Sequence, residues 1–426
     1  MSIDFDKLQI PAEYRAEFAD LIENAVEILP LAEFAQKFVK SKKENRPLRI
    51  KLGADPSAPD LHLGHSVSLR KLRIFQKYGH VVVFIIGDYT ARIGDPSGKN
   101  KMRPRLTKEQ VNANAETYLK QVLKILDPEK TEVRRNSDWL ECMNVSQTIE
   151  LMSKYTVSQM MEREDFHQRF NNEIPIYIHE FIYPLLQGYD SVAVKADVEM
   201  GGTDQKFNLL VGREMQRLEG MEQQCAMMMP LLVGLDGVHK MSKSLNNYIG
   251  ISEAPTDIFG KAMSIPDELM WEYFSLATEM PTNEIEQLRS DFESGKRHPR
   301  DIKEELGKRL VALYYDEASA ESAAADFRAR FTNRSFPEDT ADKLSFSLAD
   351  VPNLQKLLIA CGVAKSSREA QRFVDQKSFT VFEEPESAPL GSHPDEDRMG
   401  LARKALPAGV YKLKLGKTKF VVVTLS

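Results

Sequence analysis

Cysteine is scarce: Cys142, Cys225 and Cys361 are the only three in 426 residues. They stand far apart and form no C-x-x-C pair, which argues against a disulfide framework or a zinc ribbon and favours a reducing compartment. No run of about 18 apolar residues occurs, so no membrane span is expected. The opening MSIDFDKLQI has neither the basic start nor the apolar core of a secretory signal. These absences together predict a cytoplasmic protein. Positive charge is not in excess either. The net charge is −6, so any nucleic-acid partner has to be met by local basic surface rather than by the whole molecule. No long-period internal repeat is visible.

What is present is a balance of 42% hydrophobic and 28% charged residues, which suits a globular chain and rules out a disordered one. The length exceeds one ordinary core, so roughly two or three domains are expected. Residues 12–40 carry Ala, Glu, Leu and Phe at helical spacing. RPLRIKLGAD (46–55) reads as a short buried strand ending in a Gly-containing loop. DLHLGHSVSLRKL begins a helical pattern that ends near Tyr78-Gly79, with Gly79 as its C-cap. HVVVFIIGD (80–88) is a continuous β-branched run, as expected for a parallel strand covered on both faces. Strand, helix and strand make a βαβ unit.

Helical patterns recur over 108–126 and 147–164, and strands are expected at 197–205 and 227–237. An open α/β sheet is therefore predicted for residues 1 to about 235. After KMSKSLNNYIGI a helical, charged segment follows from about 256 to 333. A third region (347–426) contains SSREAQRFVDQ and the alternating strands of GVYKLKLGKTKFVVVTL, with a Pro- and Ser-rich acidic loop at 383–398.

Four clusters could carry chemistry. In an open parallel sheet, ligands bind beyond the carboxyl ends of the strands, where GADPSAPDLHLGH falls. His62 and His65 share one side of a helix start, a place that favours anions, and Gly64 removes a side chain there. On their own they fit a phosphate contact, a partial metal site or ordinary surface polarity. HKMSKSLNN places Lys240 and Lys243 around Met241-Ser242, suiting a polyphosphate or a solvated basic loop. GDPSGKNKMR tempts a P-loop reading, but Gly94 and Gly98 are too close together and Asn100 replaces the Ser/Thr after Lys99. An anion clamp of Lys99, Lys101 and Arg103 remains. IYPLLQGYD puts Tyr183, Gln187 and Asp190 on one helical face, with Pro184 in the first turn or at a kink. That face fits either a small polar ligand or a surface helix capped by Gly188.

HLGH followed far downstream by KMSKS resembles the paired signatures of class I aminoacyl-tRNA synthetases. GADPSAPDLHLGH, IGDPSGK, YPLLQGYD, GGTDQ and KMSKSLNN resemble, in order, the blocks of the bacterial tyrosyl-tRNA synthetase family. Tryptophanyl enzymes are close relatives, but YPLLQGYD is similar to the tyrosine-binding helix. SSREAQRFV resembles the basic helix of an S4-type RNA-binding module, with Arg368 and Arg372 on one side.

The resemblance implies a Rossmann-like catalytic domain (1–236), a KMSKS loop and α-helical anticodon-side domain (237–346) and a small α+β S4-like domain (347–426). It implies a tyrosine–tRNA ligase that forms tyrosyl-adenylate from tyrosine and ATP, with Mg²⁺ in the substrate complex, and then charges tRNA(Tyr). No tightly bound metal is expected. A homodimer is implied.

By the same resemblance, Ser57, Asp55, His62, Gly64, His65, Asp204 and Lys243 surround ATP. His62, His65, Lys240, Lys243, Lys99 and Arg103 stabilise the reacting phosphates. Asp190 reads the tyrosine hydroxyl, while Tyr183, Gln187 and Asp95 surround its ammonium and Gln205 lies near its carboxylate.

Two departures stand out. Many of these enzymes have a second Tyr reading the hydroxyl where this chain has Lys51. The S4-like segment also has VFEEPESAP in place of a short Asn-Gly turn, with Lys412, Lys414, Lys417 and Lys419 as local compensation. The alternatives are a nucleotidyltransferase that never meets tRNA and an RNA-binding protein on a catalytically dead synthetase fold. The S4-like half counts against the first, and the full set of polar groups against the second.

Overall fold

The computed structural model describes residues 4–56, 59–96, 106–331, 341–376, 378–385, 402–416 and 419–426. The chain divides into two compact units, Met1–Glu321 and Ser322–Ser426.

The first unit is built on a six-stranded sheet. Its strands are β1 (Glu27–Leu29), β2 (Arg49–Ala54), β3 (Val81–Ile86), β4 (Thr131–Arg135), β5 (Val198–Gly202) and β6 (Cys225–Met229), in the order β1-β6-β5-β2-β3-β4. Five run parallel, and β1 joins the edge antiparallel to β6. The continuous apolar runs of β3 and β6 are buried because helices cover both faces of such a sheet. The βαβ unit read from the sequence is present as β2, the helix Leu63–Lys77 and β3, and Gly79 ends that helix with φ +85°.

Helix Ile178–Val194 packs on helix Lys206–Leu218, and the close approach is at Gly188. A Cβ there would lie 3.0 Å from Val211 Cγ1 and 3.3 Å from the Gly212 nitrogen. Gly188 is thus a contact residue inside the helix and not its cap; Lys195, with φ 52°, ends it instead. Pro184 likewise lies in the helix interior, because the helix starts earlier than IYPLLQGYD alone suggests.

The single helix expected over 147–164 is three: Val145–Ser153, Val157–Met160 and Glu164–Asn171. Asn144 and Thr156 each accept the backbone N–H of a Gln three residues on, and those capping boxes start the first two helices; the third begins after Arg163 without a side-chain cap. After the sheet come helices Pro255–Met263, Met270–Ala277, Thr282–Glu293, Pro299–Tyr314 and Glu317–Phe331, as the helical pattern predicts.

The second unit holds β7 (Asp342–Phe346), β8 (Phe379–Glu383), β9 (Gly409–Leu415) and β10 (Lys419–Leu425), in the order β7-β10-β9-β8. Helices Leu354–Ala360 and Ser367–Asp375 share a core with this sheet through Leu357, Leu358, Val374, Tyr411 and Val421. β7 was not expected. The acidic loop at 383–398 lies mostly outside the described residues; Glu383 itself closes β8.

Candidate active site

β2 and β5 are neighbours, but the chain leaves β2 for β3 on one side and β5 for β6 on the other. A crevice must open beyond their carboxyl ends, where the connections diverge. A cavity of about 700 Å³ lies there, lined among others by His62, His65, Asp190, Asp204, Lys240 and Lys243.

One end is built by the two histidines. His62 caps the helix Leu63–Lys77 in an extended conformation, and its backbone N–H donates to Nδ1 of His65 at 3.2 Å. The ring centroids are 3.9 Å apart. The His62 ring leans toward the N–H of the first helical turn, yet its Nδ1 makes no bond of ordinary geometry among the described residues. Burial, then His65 and Lys243, pulls His62 down to about 2. The His65 ring is surrounded by protein but opens into the cavity; its enclosure, then Lys243, pulls it down to about 4. Both imidazoles are therefore neutral at physiological pH. Each can offer an N–H without adding a charge. A Cβ on Gly64 would stand 3.0 Å from Cε1 and Nδ1 of His62 and 3.6 Å from Met241 Cβ, so the glycine also makes room for the His62 ring.

The KMSKS segment closes on this end through backbone pairing. The Leu63 N–H donates to the Ile249 carbonyl at 3.0 Å, and the Ile251 N–H donates to the Leu61 carbonyl at 3.1 Å. Asn247 braces the loop: its Nδ2 donates to Asp236 at 2.9 Å, and its Oδ1 accepts the Ser242 N–H at 2.8 Å. Lys240 donates to Asp204 at 2.8 Å, and Lys243 lies 3.9 Å from Asp60, its pKa lowered by burial.

The other end is made by helix Ile178–Val194. Tyr183 donates its hydroxyl to Asp55 Oδ2 at 2.9 Å, and Thr90 donates to Asp55 Oδ1 at 2.7 Å. Asp55, expected beside the nucleotide, is thus joined to a residue expected beside the amino acid. A polar chain runs on from Gln187. Asn208 Nδ2 donates to Gln187 and to Gln205, each at 3.0 Å; Gln205 Nε2 donates to Asp95 at 2.9 Å, and Arg163 donates to Asp95 at 3.3 Å.

Asp190 is buried. Its Oδ1 accepts Trp139 Nε1 at 2.8 Å and its Oδ2 accepts Asn136 Nδ2 at 3.3 Å. Burial pushes Asp190 up to about 7 against the opposing charge of Lys51. Burial likewise raises Asp55 to about 7 against the Thr90 and Tyr183 hydrogen bonds.

The structure therefore brings the HLGH, KMSKS, GGTDQ and YPLLQGYD candidates to one cavity. Ser57, Lys99 and Arg103 lie outside the described residues. Arg368 and Arg372 are exposed on helix Ser367–Asp375 of the second unit. There Lys412 pairs with Glu383, Lys419 donates to the Cys361 carbonyl at 2.6 Å, and Lys414 stacks over Phe420, while Lys417 lies outside the described residues. Sequence reading missed Asn136, Trp139, Arg163, Glu199 and Asn208. Only Asn208 carried a signal, its i, i+3 spacing from Gln205. Among the described residues, no group of three or more His, Cys, Asp or Glu could hold a metal ion.

The family model for class I tRNA synthetases (W and Y) matches residues 42–332. The chain is 49% identical over 407 residues to a tyrosine–tRNA ligase of Mannheimia succiniciproducens, covering 96% of this chain and 98% of the relative. It is also 49% identical over 420 residues to that of Burkholderia pseudomallei, covering 98% and 97%. Among solved structures, a C-terminally truncated mitochondrial tyrosyl-tRNA synthetase of Aspergillus nidulans shares the fold with a TM-score of 0.63 at 19% identity, over 76% of this chain and 98% of that one. A tyrosyl-tRNA synthetase from Archaeoglobus fulgidus, complexed with L-tyrosine, matches with a TM-score of 0.59 at 23% identity, over 72% and 99%.

Proposed function

The chain belongs to the class I tRNA synthetases of the tryptophan and tyrosine branch, and from that membership we propose how its residues divide the work. The activity is tyrosine–tRNA ligation. The tyrosine carboxylate attacks the α-phosphate of ATP to give tyrosyl-adenylate and pyrophosphate, and the tyrosyl group then passes to the 3′ end of tRNA(Tyr). The substrate supplies the nucleophile, so the protein's task is alignment and stabilisation of charge growing on the phosphates.

His62 and His65 donate N–H groups to the phosphates. Lys240 and Lys243 leave their carboxylate partners for the pyrophosphate, joined by Lys99 and Arg103. Ser57, Gly64 and Asp204 complete the ATP site, and Mg²⁺ arrives with the nucleotide. Tyr183, Gln187, Asp95 and Gln205 hold the ammonium and carboxylate of tyrosine, with Asp55 fixing Tyr183. Asp190 accepts the phenolic hydroxyl. The observation that carries this reading is the backbone pairing of residues 61–63 with 249–251, which sets the neutral histidines and the two lysines at one cavity end. Tyrosine-dependent ATP–pyrophosphate exchange is the expected activity. Absence of exchange with every amino acid would overturn it.

Residues 1–236 form the catalytic domain, 237–346 the KMSKS loop and anticodon-side helices, and 347–426 an S4-like RNA-binding domain, whose sheet is extended by β7 from the end of the preceding segment. The exposed pair Arg368 and Arg372 supports the RNA role. Arg368→Glu with Arg372→Glu is expected to lower tRNA charging by roughly tenfold at physiological salt while sparing exchange. Equal charging by variant and parent rejects the role. The chain is read as a homodimer from its family membership; Val145, Ile149, Val157, Phe170 and Ile178 are exposed apolar side chains such an interface could use. The three free cysteines fit a cytoplasmic setting, and no helix among the described residues is long and apolar enough to cross a membrane.

A further inference from the structure

We propose that Lys51 is a positioning residue for amino-acid selection: together with Glu199 it locks the helical turn that carries Gln187 and Asp190. The inference rests on the tyrosine-activation reading above and concerns residues that do not all touch the substrate.

The pair follows from strand register. Lys51 on β2 and Glu199 on β5 are direct partners across the parallel ladder. Both are buried, at 0% and 1% side-chain exposure, and Nζ lies 2.8 Å from Glu199 Oε1. The ammonium has three hydrogens and three acceptors. Besides Glu199 it donates to the Gln187 carbonyl at 3.0 Å and to Ser191 Oγ at 2.7 Å. Those two groups bracket the turn on which Asp190 sits.

Glu199 grips the same turn from the other side. Its Oε2 accepts Ser191 Oγ at 2.9 Å and also Gln224 Nε2, and its Oε1 is 3.5 Å from Gln187 Nε2. Helix Lys206–Leu218 presses directly on this knot. A Cβ on Gly212 would come within 2.6 Å of Gln224 Nε2 and 2.8 Å of both Glu199 Oε2 and Ser191 Oγ. Only a residue without a Cβ fits against the Asp190 turn at this point.

Gln187, Asp190 and Glu199 line the cavity, whereas Lys51 stands wholly behind them. Lys51 therefore acts through its partners. A buried ion pair is a weak source of stability, because apolar side chains of similar volume pack as well without desolvation. What this pair supplies is a fixed geometry, and a positive charge that opposes the effect of burial on Asp190. Lys51 also occupies the position where many of these enzymes carry a second Tyr that reads the hydroxyl. Here all three ammonium hydrogens are taken by protein groups, and the side chain does not line the cavity.

The test uses the full-length chain in tyrosine-dependent exchange. Lys51→Met alone strands a buried carboxylate, so the informative variant is Lys51→Met with Glu199→Gln, which removes both charges and keeps an amide for Ser191 and Gln224. It is expected to raise the KM for tyrosine about tenfold, about 1.4 kcal/mol, while the KM for ATP stays within about twofold. The tyrosine-over-phenylalanine ratio of kcat/KM should fall with it. Ser191→Ala, which leaves both charges paired, should raise the tyrosine KM by a smaller factor and again spare ATP; it serves if the double variant does not fold. Folded variants with parental tyrosine KM and parental selectivity overturn the proposal. So does a parallel rise of both KM values, which marks a merely structural role. An inactive parent protein would instead remove the activation reading itself, and this inference with it.

Discussion

Replacing His62 or His65 by alanine is expected to slow tyrosyl-adenylate formation by about 10²–10³-fold while ATP affinity changes by no more than about threefold. The reason is geometric and electrostatic. Charge on the phosphate oxygens grows only as the tyrosine carboxylate attacks, so a donor aimed at that position contributes most in the transition state. Both rings are held neutral, His62 down to about 2 and His65 down to about 4. A donor held neutral offers ground-state ATP none of the extra attraction a cation would supply. Because these values are lowered, the neutral form persists as pH falls, until about 4 for His65, so the rate should show no histidine limb at neutral pH. Asparagine, a neutral donor, should retain more rate than alanine at either position. Single-turnover adenylate formation and equilibrium ATP binding, measured on the same variants, decide the matter. An ATP affinity loss as large as the rate loss would make the histidines ordinary binding groups.

The parts of this site that were legible in the sequence are those encoded in short contiguous strings. HVVVFIIGD can be read as β3 because a strand buried on both faces must be apolar throughout. The histidine pair could be placed at a helix start for the same local reason. The first break in the helical stretch at 145–171 was missed, though its signal was present: Thr156 stands three residues before a glutamine; the second break, at Arg163, carries no such signal. The setting of Asp190 was not legible. Its partners Asn136 and Trp139 come from the segment after β4, and nothing in RRNSDWL announces that it will face helix Ile178–Val194. Lys51 is the sharpest case. Its meaning depends on the strand order, since only the adjacency of β2 and β5 sets Glu199 beside it. Long-range register is a property of the whole sheet, and one strand's composition does not carry it.

Asp190→Asn is expected to raise the KM for tyrosine by about 10- to 100-fold, the range for a hydrogen bond to a charged acceptor, with little change for ATP. The pH dependence gives a second and more specific signature. Burial raises the carboxyl from its ordinary value to about 7, so it is protonated below that pH and ionised above it. On the proposed reading, the ionised acceptor for the phenolic hydroxyl is lost as pH falls through about 7, and kcat/KM for tyrosine should decline. Stability should move the opposite way. Between the ordinary carboxyl range and about 7 the folded state holds a proton that the unfolded state has released, so stability falls as pH rises through that window. The rise to about 7 sets a ceiling of about 4 kcal/mol on this effect.

Asp190→Asn should therefore remove the acid limb of tyrosine recognition and gain stability relative to the parent at pH above about 7. Asp55 titrates in the same region, so Asp55→Asn is the control. If the acid limb survives in Asp190→Asn and disappears in Asp55→Asn, the titrating group is the carboxylate that holds Tyr183, and Asp190 is not the hydroxyl reader. If stability and recognition instead oppose one another only through Asp190, the buried carboxylate is a group whose ionised form costs the fold energy and serves the choice of tyrosine.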